Sequence, residues 1–237
     1  MKSDIVLTED EKDCLQELMN VAYGSATAAI TEILDAFAKL SIPKIQIINA
    51  NDLKAYLSKE LNLDVEHLVS LQQINGTLCG ENMFVIDKQS AKNIAYKFGL
   101  DENEVNDEEI ADVVLEITNI LSSSTISQLA EDMETNVSFS APTVKTITSI
   151  DELKNLFISK YEKVIIISTQ LIFEDLDINA ELFIFTTDNS ILYALCKDNC
   201  EAGHHHDNHV HFVCDVCNKT ICLDDVTVPT VTLPKGL

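Results

Sequence analysis

Over the first forty positions, apolar residues return every three or four steps. Leu15, Leu18, Ala22, Ala26, Ala29 and Ile33 form such a stripe, and the spacing predicts an amphipathic helix from about Thr8 to Ala38. Thr8-Glu9-Asp10-Glu11 has the form of a capping box with acid in the first turn. Asn106-Asp107-Glu108-Glu109 opens a second long helix, expected from about Asp107 to Glu134. After each helix the period changes to two: Pro43 to Asn49 and Pro142 to Thr148 alternate as half-buried strands do. Two strand pairs are expected next, Val69–Leu78 with Asn82–Ile86 and Val164–Phe173 with Ile178–Thr186, and Ser90–Phe98 reads as a connecting helix ended by Gly99. Helices followed by hairpin-linked strands imply an α+β fold with a largely antiparallel sheet.

The same order of elements occurs twice. Asp13, Glu17, Asn20 and Pro43 recur as Asp112, Glu116, Asn119 and Pro142 at a constant offset of 99 residues, so both copies read D-x3-E-x2-N-x22-P. Two of the four prolines fall at this offset, and Asp52 and Asp151 continue it. One long period in two copies indicates a duplicated unit rather than a solenoid. The expected organisation is a domain over residues 1–188, with pseudo-repeats at about 5–99 and 104–188, and a distinct tail over 189–237.

The repeated polar residues sit at helical steps. Asp13, Glu17, Asn20, Gly24, Thr27 and Thr31 would share one face of the first helix, and Asp112, Glu116, Asn119 and Ser123 one face of the second. A solvated helix surface would look similar. Two features favour a site: the triplet recurs at the same distance from a proline, and the next position is Gly24 or Ser123, small enough to leave room for a partner's surface.

Composition narrows the choice of partner. Hydrophobic residues make up 46% of the 237, enough for a sizeable core, and charged residues 23%. The formal net charge of −23 argues against a nucleic-acid partner, because phosphate contacts require clustered Lys and Arg. The opening MKSDIVLTEDEKD turns acidic where a signal peptide would be apolar, and runs such as Val164-Ile165-Ile166-Ile167 are too short to span a bilayer. A cytoplasmic protein with no membrane contact is expected.

Glu17-Leu-Met-Asn20-Val-Ala-Tyr-Gly24-Ser-Ala-Thr resembles the E-x-x-N-I-G-x-G-x-A-T signature of the CheC family of chemotaxis phosphatases, related to CheX and FliY; Ala22 stands where that family usually has glycine. Glu116-Ile-Thr-Asn119-Ile-Leu resembles the family's second site, and the resemblance covers roughly residues 5–188. It implies dephosphorylation of a phospho-aspartyl CheY-like response regulator. By this resemblance Asn20 and Asn119 orient the attacking water, and Glu17 and Glu116 pair with the regulator's active-site lysine. Asp13 and Asp112 take a peripheral docking role, and Mg²⁺ is supplied by the partner. Pro43 and Pro142 are expected to end the helix-to-strand passage rather than to touch substrate. Other chemotaxis proteins are further partners on this reading.

The last fifty residues have a different texture. Five of the six histidines lie between 204 and 211, and Cys196, Cys200, Cys214, Cys217 and Cys222 lie within 27 residues. An expression tag would be an uninterrupted histidine run; thiolates and imidazoles at this spacing suit Zn²⁺. Cys214 and Cys217 form a C-x2-C pair, with Cys196, Cys200, His209 or His211 to complete a ligand set. Leu192-Tyr193-Ala194-Leu195-Cys196 and the HHHDNHVHFVCDVCNK stretch resemble the C-terminal regulatory domain of the Fur family of metal-responsive repressors, over about 190–237. That resemblance implies a structural zinc site, although no counterpart of the family's DNA-binding winged helix is present. Three functions are therefore in play: a response-regulator phosphatase, a non-catalytic docking module of the chemotaxis or flagellar switch, and a Fur-type metal-dependent regulator.

Overall fold

The computed structural model describes residues 7–61, 64–76, 79–102, 104–132, 136–153, 162–186, 210–213 and 220–223. Helix α1 runs Glu9–Leu34. Its capping box forms as expected: the Glu11 amide donates to Thr8 Oγ1 at 3.2 Å, and the Thr8 amide donates to Glu11 Oε2 at 2.6 Å. The helix stops four residues short of the expected Ala38, because Asp35 adopts the left-handed conformation (φ 45°) and caps it. Strand β1 (Lys39–Leu40) and strand β2 (Lys44–Asn49) follow, with Pro43 immediately before β2. Helix α2 (Leu53–Glu60) was not anticipated, although Leu53, Leu57 and Leu61 are spaced four apart and all are buried. Strands β3 (His67–Gly76) and β4 (Gly80–Asp87) and helix α3 (Lys88–Lys97) complete the first unit.

The second unit repeats the plan. Helix α4 spans Asp107–Asp132, and Asn106 Oδ1 accepts from the amides of Glu108 and Glu109 at 3.0 and 3.1 Å. Strand β5 (Val137–Phe139), strand β6 (Thr143–Ile147), strand β7 (Lys163–Phe173) and strand β8 (Ile178–Thr186) follow. Lys88 ties the units together: its ammonium reaches Glu66 at 2.8 Å and Asp107 at 3.1 Å, and the hydrogen bonds to Glu66 and Asp107 raise its pKa.

These strands make one antiparallel sheet, ordered β1-β7-β8-β4-β3-β5, with β2 also on the β7 edge and β6 also on the β3 edge. The pairing is reciprocal between units. The first unit's β2 lines the second unit's hairpin, with Ile47 opposite Ile165, and the second unit's β6 lines the first unit's hairpin, with Val144 opposite Ser70. The two hairpins meet at β4–β8, where Met83 faces Phe183. The sheet is therefore continuous through both repeats.

Both faces of the sheet are covered, which explains why β4, β7 and β8 read as nearly unbroken apolar runs. Helices α1, α3 and α4 cover one face, over Leu68, Phe84, Ile86, Ile165, Ile167 and Leu182. Helix α2 lies on the other, over Val69, Met83, Val85, Ile166, Phe183 and Phe185. The rings of Phe183 and Phe185 stack there with centroids 5.9 Å apart. A further two-stranded antiparallel ladder, β9 (Val210–Val213) with β10 (Thr220–Leu223), falls in the tail.

Candidate functional site

Helices α1 and α4 pack on one another and on the same sheet face, and this fixes which side chains point outward. Leu15, Met19, Ala22, Tyr23, Ala26, Ile30 and Leu34 are buried along α1. The expected stripe was shifted at its C-terminal end: Ile33 is 46% exposed and Ile30 is the core residue. On the opposite side Asp13, Glu17, Asn20 and Gly24 are exposed. The polar stripe ends there. Thr27 was expected on this face but is 8% exposed, with its hydroxyl buried and unpartnered among the described residues, and Thr31 is half-buried.

On α4 the same arrangement appears. Ile110, Val114, Ile117, Leu121 and Leu129 are buried, while Asp112, Glu116 and Asn119 are exposed and Ser123 is half-buried. The inner side of this turn is held by polar contacts. Asn82 on β4 donates to the Ser122 hydroxyl, and Thr118 Oγ1 donates to the Val114 carbonyl at 2.7 Å. Thr118 and Ser122 are buried neighbours of the Asn119 turn, and the Asn82–Ser122 bond ties this turn of α4 to the sheet beneath it. On α1 the corresponding tie is Gln16, whose Nε2 donates to the Pro43 carbonyl at 2.6 Å. It joins the turn bearing Glu17 to the proline of the same motif. The sequence offered no signal for it, since Leu115 occupies the equivalent place in the second copy.

The six motif side chains have no hydrogen bond or ion pair to any described residue. Their carboxylates and amides are thus free to meet another molecule. The surface around them is a helix face, and the cleft lined by Leu61, His67, Val85, Asp87, Gln170 and Glu181 contains none of them. Within that cleft, burial pushes the Glu181 carboxyl up. The remaining repeated acids have structural partners: Asp52 accepts from Asn49 at 3.1 Å, and Asp151 pairs with Lys54 of α2. Pro43 and Pro142 directly precede β2 and β6, but each sits between two strands rather than at the expected helix-to-strand passage, because β1 and β5 come first.

Exposed Glu and Asn on a helix face can dock and orient, but they do not enclose a small substrate.

Among the described residues no group of three or more His, Cys, Asp or Glu could hold a metal ion. The proposed metal residues Cys196, Cys200, His209, Cys214 and Cys217 lie outside the described residues. His211 lies in β9, where the backbone register sets it opposite Cys222 of β10. Cys222 was left out of the expected ligand set, and only this pairing draws attention to it. No helix among the described residues is long and apolar enough to cross a membrane.

Comparison with known proteins follows the fold and the second motif. A search of curated proteins finds no match. Similar solved structures include FliY from Thermotoga maritima, with a TM-score of 0.65 and 23% identity over 81% of this chain and 99% of that one. A chain of the FliM–SpeE complex from H. pylori is similar with a TM-score of 0.60 and 9% identity, over 83% of this chain and 100% of that one. A chain of the FliG–FliM complex from H. pylori gives 0.56 and 12%, over 80% and 100%. The Fur resemblance of the tail gains no support from these comparisons. The fold is thus shared with FliY and FliM structures, and residues 68–159, which carry Asp112, Glu116, Asn119 and Pro142, match the family model for chemotaxis phosphatase CheX.

Proposed function

We propose that this chain removes the phosphoryl group from the aspartate of a CheY-like response regulator. The observation that carries the reading is the duplicated Glu–Asn pair, exposed on two packed helices and without a partner among the described residues. The match of residues 68–159 to the CheX model supports it, since that stretch includes the whole second motif.

The chemistry suits these residue types. An acyl phosphate is hydrolysed when a water oxygen bonds to phosphorus as the bond from phosphorus to the aspartyl oxygen breaks. The aspartate leaves as a carboxylate; inorganic phosphate keeps one of the water's protons and the other passes to solvent. A loose transition state asks for position and charge stabilisation more than for a strong base. An amide is no base, but its oxygen can accept from a water and its nitrogen can donate, so Asn20 or Asn119 can hold water in line with the leaving oxygen. Glu17 and Glu116 fit a lysine on the regulator and set the register of docking. Asp13 and Asp112, one turn earlier, widen the acidic surface. Magnesium arrives with the regulator. The test is release of inorganic phosphate from a phosphorylated receiver domain with Mg²⁺, in the presence and absence of this protein.

A second reading is favoured by the FliG–FliM and FliM–SpeE complexes, in which chains of this fold assemble with other proteins. On that reading the same surface docks without catalysis. Phosphorylated regulator that binds but loses phosphate no faster than alone would select it.

For the tail, the proposal is one Zn²⁺ per chain held by Cys214 and Cys217, with Cys196, Cys200, His209 or His211 completing the set. Zinc would supply folding free energy to a segment poor in apolar residues. Purified protein is expected to contain about one zinc by elemental analysis. The ion should be lost from Cys214→Ser/Cys217→Ser with phosphate release unchanged. Zinc retained in that variant rules out the assigned ligands.

A further inference from the structure

We propose that Gly24 is a specificity-determining position of the first site, where the bare α-carbon lets the regulator's backbone reach α1 itself one turn beyond Asn20. The inference rests on the phosphatase reading above. A glycine inside a helix is less favourable than alanine, because it costs more backbone entropy on folding. It therefore needs a reason, and for the other described glycines the chain itself supplies one. Gly76 and Gly99 have positive φ, at 123° and 88°, and a Cβ on Gly80 would collide with the Phe185 carbonyl oxygen. None of this applies to Gly24. It sits well inside Glu9–Leu34, its φ is not positive, and an added Cβ would meet nothing within 4 Å among the described residues. Nothing among the described residues uses the missing side chain, and a molecule that docks on this face would.

Its place in the site says which molecule. Gly24 is exposed one helical turn from Asn20, and Val21 beside it is 52% exposed, an aliphatic side chain with no core to join. A receiver domain seated with its acyl phosphate at Asn20 would lie over this turn. The second copy carries Ser123 and Ile120 at the same offset. Ser123 is half-buried and folds its hydroxyl back onto the Ile120 carbonyl at 3.2 Å. The second site thus tolerates a Cβ where the first has none, and the two sites differ in how closely a partner can approach.

The experiment uses the full chain with Glu116→Lys, which leaves the first site alone to act, and follows phosphate release against regulator concentration. Gly24→Ala should raise Tm by about 2 to 4 °C, the helix-propensity gain for a chain of this size. It should also raise KM about tenfold or more with kcat little changed, since a methyl group forced into a packed contact weakens docking rather than chemistry. Gly24→Gln should raise KM further, and Ser123→Gly in a Glu17→Lys chain should lower KM at the second site. The inference is overturned if Gly24→Ala and Gly24→Gln keep KM within about twofold while Asn20→Ala still stops turnover at this site. That outcome leaves the phosphatase reading intact. If Asn20→Ala leaves turnover unchanged, the phosphatase reading fails and takes this inference with it.

Discussion

Changing both Asn20 and Asn119 to alanine will remove nearly all phosphatase activity, by about 10²-fold or more, while regulator binding persists. The magnitude follows from what is lost. A preorganised hydrogen bond used only in the transition state is worth about that factor in rate, and the two copies leave no third site to compensate. The fold should be indifferent to the change. Both side chains are exposed and have no partner among the described residues, so the expected stability effect is within about ±0.5 kcal/mol. Each single variant keeps the other site and should lose only part of the activity. The checks are phosphate release under saturating regulator and the melting temperature of each variant. A double variant with wild-type turnover would remove the asparagines from the chemistry.

Reversing charge at Glu17 and Glu116 should act earlier, at docking. Glu17→Lys/Glu116→Lys is expected to weaken regulator binding by a factor of about 10² or more, and turnover falls with it. On a solvated helix face an acid contributes little, typically under about 1 kcal/mol, and neither glutamate has a partner among the described residues. At a desolvated contact with a lysine, pairs of charges couple by about 1.5–7 kcal/mol, and a lysine in place of the glutamate turns attraction into repulsion. The large effect thus appears only if these residues meet a cation on the partner. Titration calorimetry against the regulator decides it: unchanged affinity assigns both glutamates to the solvated surface.

Much of the architecture was visible in the chain because its signals are local. The capping box at Thr8–Glu11, the two prolines ahead of β2 and β6, and the alternation in β2 each depend on a few neighbouring residues. What was missed depends on distant partners. Helix α2 has only eight residues, and Leu53, Leu57 and Leu61 mark it as a helix once the second face of the sheet exists to receive them. The burial of Thr27 comes from tertiary packing on α1, which helical spacing alone does not reveal. The crossed pairing of β2 with β7 and of β6 with β3 joins residues more than seventy positions apart, and no pattern within either strand announces it.

The site was legible for a different reason. Duplication supplied an internal comparison, so Asp13, Glu17 and Asn20 stood out against α1 because Asp112, Glu116 and Asn119 repeat them. Gln16 has no such echo, and its bond to Pro43 emerged only from the structure.

Multiple turnover separates catalysis by this chain from docking alone. Phosphorylated receiver domain with Mg²⁺ is mixed with a substoichiometric amount of the protein, and inorganic phosphate is followed over time. A catalytic chain releases several equivalents of phosphate, at a rate proportional to its concentration and well above the regulator's own hydrolysis. Release at the regulator's intrinsic rate, with the two proteins shown to be bound, would contradict it.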